Sequence, residues 1–211
     1  MSGAESTRDR LLSVGLQMLV EGGVRSLTVR GLVQRAGENP GTFVYHFKTR
    51  SAFLQTLLEQ WYAPLFRGVR LSIGAGAPPM EKLRASLEHA LSFAHENAPL
   101  IAQLMADYAA GEKAVAEFAR TVPMRHPRMI LDAIREALRE GCLIEGEPEN
   151  LLMYLFGAVG MPVIIARFLL GDIRPSSGLF HNINRIAHSP EASRLRLNWA
   201  LRGIRQTSES T

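Results

Sequence analysis

Residues 27–54 read LTVRGLVQRAGENPGTFVYHFKTRSAFL, and this stretch decides the fold. Thr28 carries the side-chain oxygen that a helix N-cap needs. Val29, Leu32, Val33 and Ala36 then recur at helical spacing on one face. Gly37 closes that helix, because glycine reaches the left-handed conformation of a sharp exit without a steric cost. Asn39 caps a second short helix, with Pro40 at its first position, where no backbone donor is needed. Phe43 and Phe47 lie four apart and share the face that packs inward. Winding roughly 100° per residue from that face leaves Gly41, Thr42 and Tyr45 pointing outward, with Lys48 and Arg50 following. Glycine, hydroxyl, phenol and cations make poor core material. They suit a DNA groove.

Working outward, Arg8 to Gly23 reads as a preceding helix with Leu11, Leu12, Leu16 and Leu19 as its buried stripe. Ser51 to Arg70 continues as a long helix through Phe53, Leu54, Leu57, Leu58 and Trp61, bent near Pro64. The linker Ser72 to Pro79, SIGAGAPP, then separates two domains, residues 1–71 and 72–211. Met80 to Asn97 is amphipathic, and Pro99 opens another helix that runs through Ala110. Shorter helices cover Gly111 to Thr121 and Met129 to Glu140. Pro148 starts an apolar helix that Gly171 to Ser177 breaks, and Leu179 to Ala187 is a short helix. Ser189 caps the last helix, Pro190 to Arg205, and Gln206 to Thr211 reads as a disordered tail. No run alternates at period two for long enough to predict a strand.

Composition agrees. A chain of 211 residues with 46% hydrophobic and 21% charged residues builds a sizeable core and argues against disorder. The net charge of +4 and the pI near 9.6 permit nucleic-acid binding without demanding it. A single cysteine, Cys142, excludes an internal disulfide and fits a reducing, cytoplasmic compartment. Met1 to Arg10 is polar, and the apolar stretch after it is interrupted by Gln17 and Glu21, so no signal peptide is expected there. Leu151 to Ala166 holds no charged residue but is shorter than the ~20 residues a membrane span usually takes. A helix that is apolar all round also fits a core on one side and a partner subunit on the other.

Signatures of catalysis are missing. The sequence has no phosphate-cradling G-x-x-x-x-G-K-[ST], no G-x-G-x-x-G, no G-x-S-x-G and no H-E-x-x-H. None of His46, His89, His95, His126, His181 and His188 forms an i, i+4 pair with another, so no metal or cofactor is expected.

The motif resembles the N-terminal domain of the TetR family of bacterial transcriptional regulators. The resemblance rests on Thr28, Leu32-Val33, Ala36-Gly37, Asn39, Gly41-Thr42-Phe43, Tyr45-His46-Phe47 and Arg50, together with the helix Arg8 to Gly23. Glu38 and Val44 depart from it, standing where that family more often has an aliphatic residue and a tyrosine. The resemblance implies an all-α protein with a three-helix, homeodomain-like DNA-binding domain and a larger helical domain for dimerisation and ligand sensing. It also implies a homodimeric repressor of operator DNA, responsive to a small molecule. Thr28, Arg30, Asn39, Pro40, Gly41, Thr42, Val44, Tyr45, His46, Lys48 and Arg50 are then the DNA-contacting candidates. Arg30 is assigned to a base edge, while Thr28, Thr42, Tyr45, His46, Lys48 and Arg50 are assigned to phosphates; Thr28 serves equally as a helix cap. Met105, Tyr108, Met129 and Phe156 are candidates for an apolar ligand pocket. Leu152, Phe156, Val159, Val163, Leu195 and Trp199 are candidates for the dimer interface. Two other classes stay open: a helical DNA-binding or protein-interaction module without an inducer, and a helical small-molecule enzyme.

Overall fold

The computed structural model describes residues 6–74, 76–170 and 178–206. The chain is all-α, in the order α1 (Thr7–Ser26), α2 (Val29–Ala36), α3 (Pro40–Phe47), α4 (Arg50–Ser72), α5 (Pro79–Ala109) and α6 (Lys113–Thr121). There follow α7 (His126–Arg139), α8 (Pro148–Leu155), α9 (Met161–Leu170), α10 (Gly178–Ala187) and α11 (Pro190–Gly203). A π-helical turn, Phe156–Gly160, joins α8 to α9. Among the described residues the extended pairing is one antiparallel bridge, Leu143 to Arg205. The break predicted at Gly171 to Ser177, and all of the predicted tail beyond Gln206, lie outside the described residues.

The chain packs as two compact units. The first is residues 1–64 with 99–120, and the second is residues 65–98 with 121–211. The sequence places one division at 71/72. In the structure the chain crosses between the units three times, at Pro64 inside α4, at Pro99 inside α5 and after Arg120 at the end of α6. Residues 99–120 belong to the first unit because Leu100, Leu104 and Val115 are buried in its core.

Helix α5 corrects the reading of two helices meeting at Pro99. Proline removes one N–H and crowds the carbonyl four residues back, which predicts an end. Instead the helix continues, with Asn97 Nδ2 donating to the Phe93 carbonyl at 2.9 Å. Ala94, Ala98, Leu100 and Leu104 are buried on either side of the proline, so packing outweighs the local cost.

The core of the first unit gathers Leu11, Leu19, Leu27, Leu32 and Phe43 with Phe47 and Phe53. Ring centroids of Phe43–Phe53 and Phe47–Phe53 stand 5.5 and 4.8 Å apart, with tilted and edge-on geometries. The second unit is built on Leu83, Leu87, Ile130, Ile134, Leu155 and Leu197. Lys82 pairs with Glu136 at 2.7 Å and Arg84 donates to Asn198 at 2.7 Å, tying the start of α5 to α7 and α11.

Pro148–Phe168 is a continuous helix of 21 residues whose most apolar 18-residue window has mean hydropathy 1.9, longer than its uncharged run suggested. Length and composition alone would let it cross a bilayer. Its positions Leu151, Leu155, Val159, Val163 and Ala166 are buried along one side, and it packs against α7 and α11. Its other side, with Met153, Tyr154, Ile165 and Phe168, is exposed.

Candidate nucleic-acid interface

The turn between α2 and α3 forms from local chemistry. Thr28 Oγ1 accepts from the Gly31 N–H at 3.1 Å and caps α2. Gly37 ends that helix in the left-handed region, at φ 68° and ψ 31°. Asn39 Oδ1 accepts from the Thr42 N–H at 2.9 Å and caps α3, with Pro40 at its first position. Phe43 and Phe47 then anchor α3 in the core, exposed by only 1% and 5%.

The other side of α3 is open. Tyr45 is 82% and Val44 54% exposed; Asn39, Pro40 and Gly41 are exposed, and Thr42 and His46 are half-buried. The His46 ring meets Tyr45 edge-on at 5.0 Å, which limits how far the phenol swings. Lys48 closes the helix at φ 62°, an uncommon backbone state for a side-chain-bearing residue. Its N–H bonds the Val44 carbonyl at 3.0 Å, and its side chain is exposed.

The cations sort by what they already hold. Arg35 forms a two-pronged pair with Glu21, which lowers the glutamate's pKa and raises the arginine's through their mutual hydrogen bonds. Arg10 stands 3.3 Å from Glu38, and Arg25 donates to Glu112 at 2.7 Å. Arg30 and Lys48 are exposed and have no carboxylate partner among the described residues.

Arg50, assigned to a phosphate from the sequence, is turned inward. Its Nε donates to the Leu27 carbonyl at 2.6 Å and its Nη2 to the Val24 carbonyl. The guanidinium thereby satisfies backbone oxygens at the end of α1. Sequence reading missed the reverse case, Arg8. It lies exposed on the first turn of α1 with its guanidinium 5.6 Å from the centroid of the Phe47 ring, beside the end of α3. The available signal was a basic residue just ahead of the Leu11 stripe.

The pocket candidates divide between the two units. Met105 and Tyr108 belong to the first unit and are 38% and 56% exposed; Met129 and Phe156 belong to the second and are half-buried. Phe156 faces His126, ring centroids 6.1 Å apart. Burial pulls the His126 pKa from the usual 6.5 down to about 4. The second unit also holds a groove of about 520 Å³ between α5 and α11, lined by Glu88, His89, His95, Glu96, Pro190 and Arg194.

Of the interface candidates, Val159 and Val163 are corrected: at 3% and 0% exposure they fill the protomer's own core. Leu152 and Phe156 are half-buried, and Leu195 and Trp199 are exposed by 47% and 59%. Helix α10 adds Leu179, Phe180, Ile183 and Ile186, all more than two-fifths exposed. The sequence had assigned these last four to nothing.

The profile described as "Bacterial regulatory proteins, tetR family" matches residues 11–57, the span from α1 into α4. A curated relative, the HTH-type transcriptional repressor KstR2 of Mycolicibacterium smegmatis, is 24% identical over 140 residues, covering 64% of this chain and 67% of its own length. The solved ketosteroid transcriptional regulator KstR2 of Mycobacterium tuberculosis superposes with a TM-score of 0.66 at 19% identity, over 97% of this chain and 98% of the other. The SmeT–triclosan complex superposes with a TM-score of 0.69 at 20% identity, over 97% and 96%.

Proposed function

We infer that the chain is a DNA-binding transcriptional regulator of the TetR family, and from that premise we propose a homodimeric, cytoplasmic repressor whose α3 enters the major groove of an operator half-site. The observation that carries the reading is the outward side of α3. Tyr45 and Val44 stand out at 82% and 54% exposure on a helix whose opposite side is locked into the core. Arg30, exposed near the start of α2, supplies a guanidinium that can pair bidentately with a guanine edge. Thr42, Tyr45, His46 and Lys48 supply donors for phosphates, joined by Arg8 in place of Arg50.

A second copy is the occupant proposed for the apolar surface of the last two helices. Leu179, Ile183 and Ile186 recur along one side of α10, and Leu195 and Trp199 lie one turn apart on α11. An isologous contact there would hold two recognition helices at a fixed spacing. Glutamate at Ile183 and Trp199 should give monomers in sedimentation. Operator affinity should fall with it.

Release is proposed to follow uptake of an apolar or weakly polar effector by the second unit, where Met129 and Phe156 are half-buried around α7 and the π-helical turn. A structural neighbour carrying triclosan supports that class of ligand.

Selecting binding sites from a random duplex pool tests the core of the reading. A two-fold sequence should enrich, and Arg30→Ala should cost about 1–3 kcal/mol and blur one base pair per half-site. If no sequence enriches with the dimeric protein, the reading is wrong.

A further inference from the structure

Helix α1 is broken at Gly23, and the break is filled from a distant segment. Gly23 sits at φ 70° and ψ −174°, a region that essentially only glycine occupies. A Cβ on it would lie 2.4 Å from Gln103 Nε2 and 2.7 Å from Asp107 Oδ1. The Asp107 side chain is a buried carboxylate near the end of α5, 6% exposed as a residue, and its Oδ2 accepts from the Val24 N–H at 2.9 Å. Gln103 Nε2 leans on its other oxygen at 3.4 Å. One turn on, Arg25 donates to Glu112 at 2.7 Å and to the Ala110 carbonyl at 3.2 Å.

The same few residues are held from the other side by Arg50, which donates to the carbonyls of Val24 and Leu27. Val24 therefore carries a bond on both of its backbone groups, its N–H to Asp107 and its C=O from Arg50. Directly after this clasp comes Thr28, the cap of α2, and two residues further Arg30. Leu27 and Val24 are themselves fully buried, so the segment can rotate only by breaking these bonds.

We propose that Asp107 is a positioning residue for DNA reading: by capping the broken end of α1 from α5, it sets the direction in which α2 and α3 leave α1. The proposal rests on the reading that α2 and α3 contact DNA. A buried carboxylate suits the task better than a surface pair. Its bond to a backbone N–H is charge-assisted, short and unscreened by salt. It also makes the placement of the reading helices depend on residues 99–112, which lie well beyond the groove-reading motif in sequence.

The test compares the full-length wild type with Asp107→Ala and Asp107→Asn on two duplexes of equal length, one selected from a random pool and one scrambled. Asp107→Ala, folded by circular dichroism, should lose roughly tenfold or more in preference for the selected duplex. Its affinity for the scrambled duplex, which depends on phosphate charge alone, should stay within about twofold. Asp107→Asn keeps an acceptor and should recover most of the preference. Exchange of the Val24 amide should quicken in the alanine variant and much less in the asparagine one. An unchanged preference in folded Asp107→Ala, with only a lowered Tm, would show a plain structural anchor and overturn the proposal. If Asp107→Ala does not fold, Gln103→Ala takes its place, with a preference loss of about threefold expected and none counting against the idea. If the wild type itself discriminates between no duplexes, the DNA-reading premise fails and the proposal falls with it, before any variant is compared.

Discussion

The two units use their polar and apolar residues in opposite ways. In the first, the large aromatics face inward: Phe43, Phe47 and Phe53 are each no more than 5% exposed. Its exposed groups on and just after α3 include a phenol, a cation and, among aliphatic side chains, Val44. In the second, the core is aliphatic, Ser86 and Ser193 are fully buried, and Leu179, Phe180, Trp199 and Met153 stand in solvent. Scattered exposed apolar residues are ordinary, but a helix such as α10 with four of them in ten residues is not. A surface meant for a hydrated polyanion is polar with a rigid support. One meant for another copy or an apolar ligand is greasy. The two tryptophans let each unit be watched separately, since Trp61 lies in the first and Trp199 in the second.

The largest effect should come from cutting the support under α3. Phe43→Ala removes a side chain 1% exposed and in ring contact with Phe47 and Phe53, so it should cost about 3–5 kcal/mol. In a Trp199→Phe background, Trp61 fluorescence should report the lowered transition of the first unit. Tyr45→Ala, two residues away on the open side, should leave that transition within about 0.5 kcal/mol while weakening DNA binding. Equal destabilisation by the two would break the division of α3 into a support side and a reading side.

The second unit should be the acid-sensitive one. Burial depresses the His126 pKa from 6.5 to about 4, so the folded state refuses a proton that the unfolded chain accepts. Its stabilising contribution is complete above about pH 6.5 and is lost as pH falls toward 4, up to about 3 kcal/mol. His95, held low chiefly by burial and then by the Arg196 cation, adds a slope of the same sign. Thermal unfolding between pH 7 and 4.5, followed at Trp199, should show the fall, and His126→Gln should flatten most of it. A variant as acid-sensitive as the wild type would remove His126 from the account.

Local signals made the reading motif legible. Thr28, Gly37, Asn39 and Pro40 act within three residues of themselves, so the caps and the turn could be read directly. Arg50 could not, because its acceptors lie 23 and 26 residues away in sequence and a cation near a groove motif looks like a phosphate ligand. Asp107 was invisible for the same reason, its partner being 83 residues distant. Pro99 misled because helix propensity is local and the burial that overrides it is not. Val159 and Val163 misled differently: in a helix apolar on every side, pattern alone does not say which side is the core. The exposed apolar side of α10 was legible in principle, as Leu179, Ile183 and Ile186 at helical spacing, but a helix that short also reads as core.

The smallest effects sharpen the comparison within the first unit, among cations that look alike in sequence. Each phosphate contact releases counterions, so its loss lowers the slope of log affinity against log salt by about one unit. Lys48 is exposed at the end of α3, and Arg8 stands over Phe47 beside it. Lys48→Ala and Arg8→Ala should therefore each flatten the slope by roughly one unit and leave base preference untouched. Arg50→Ala should do the reverse. With its guanidinium already bonded to two carbonyls, its loss should leave the slope alone and destabilise the first unit by about 1–3 kcal/mol through the carbonyls it uncovers. Titrations at several salt concentrations, paired with Trp61 melting curves, read both quantities on the same samples. A salt slope that falls with Arg50 and not with Arg8 would return Arg50 to the groove and withdraw Arg8 from it.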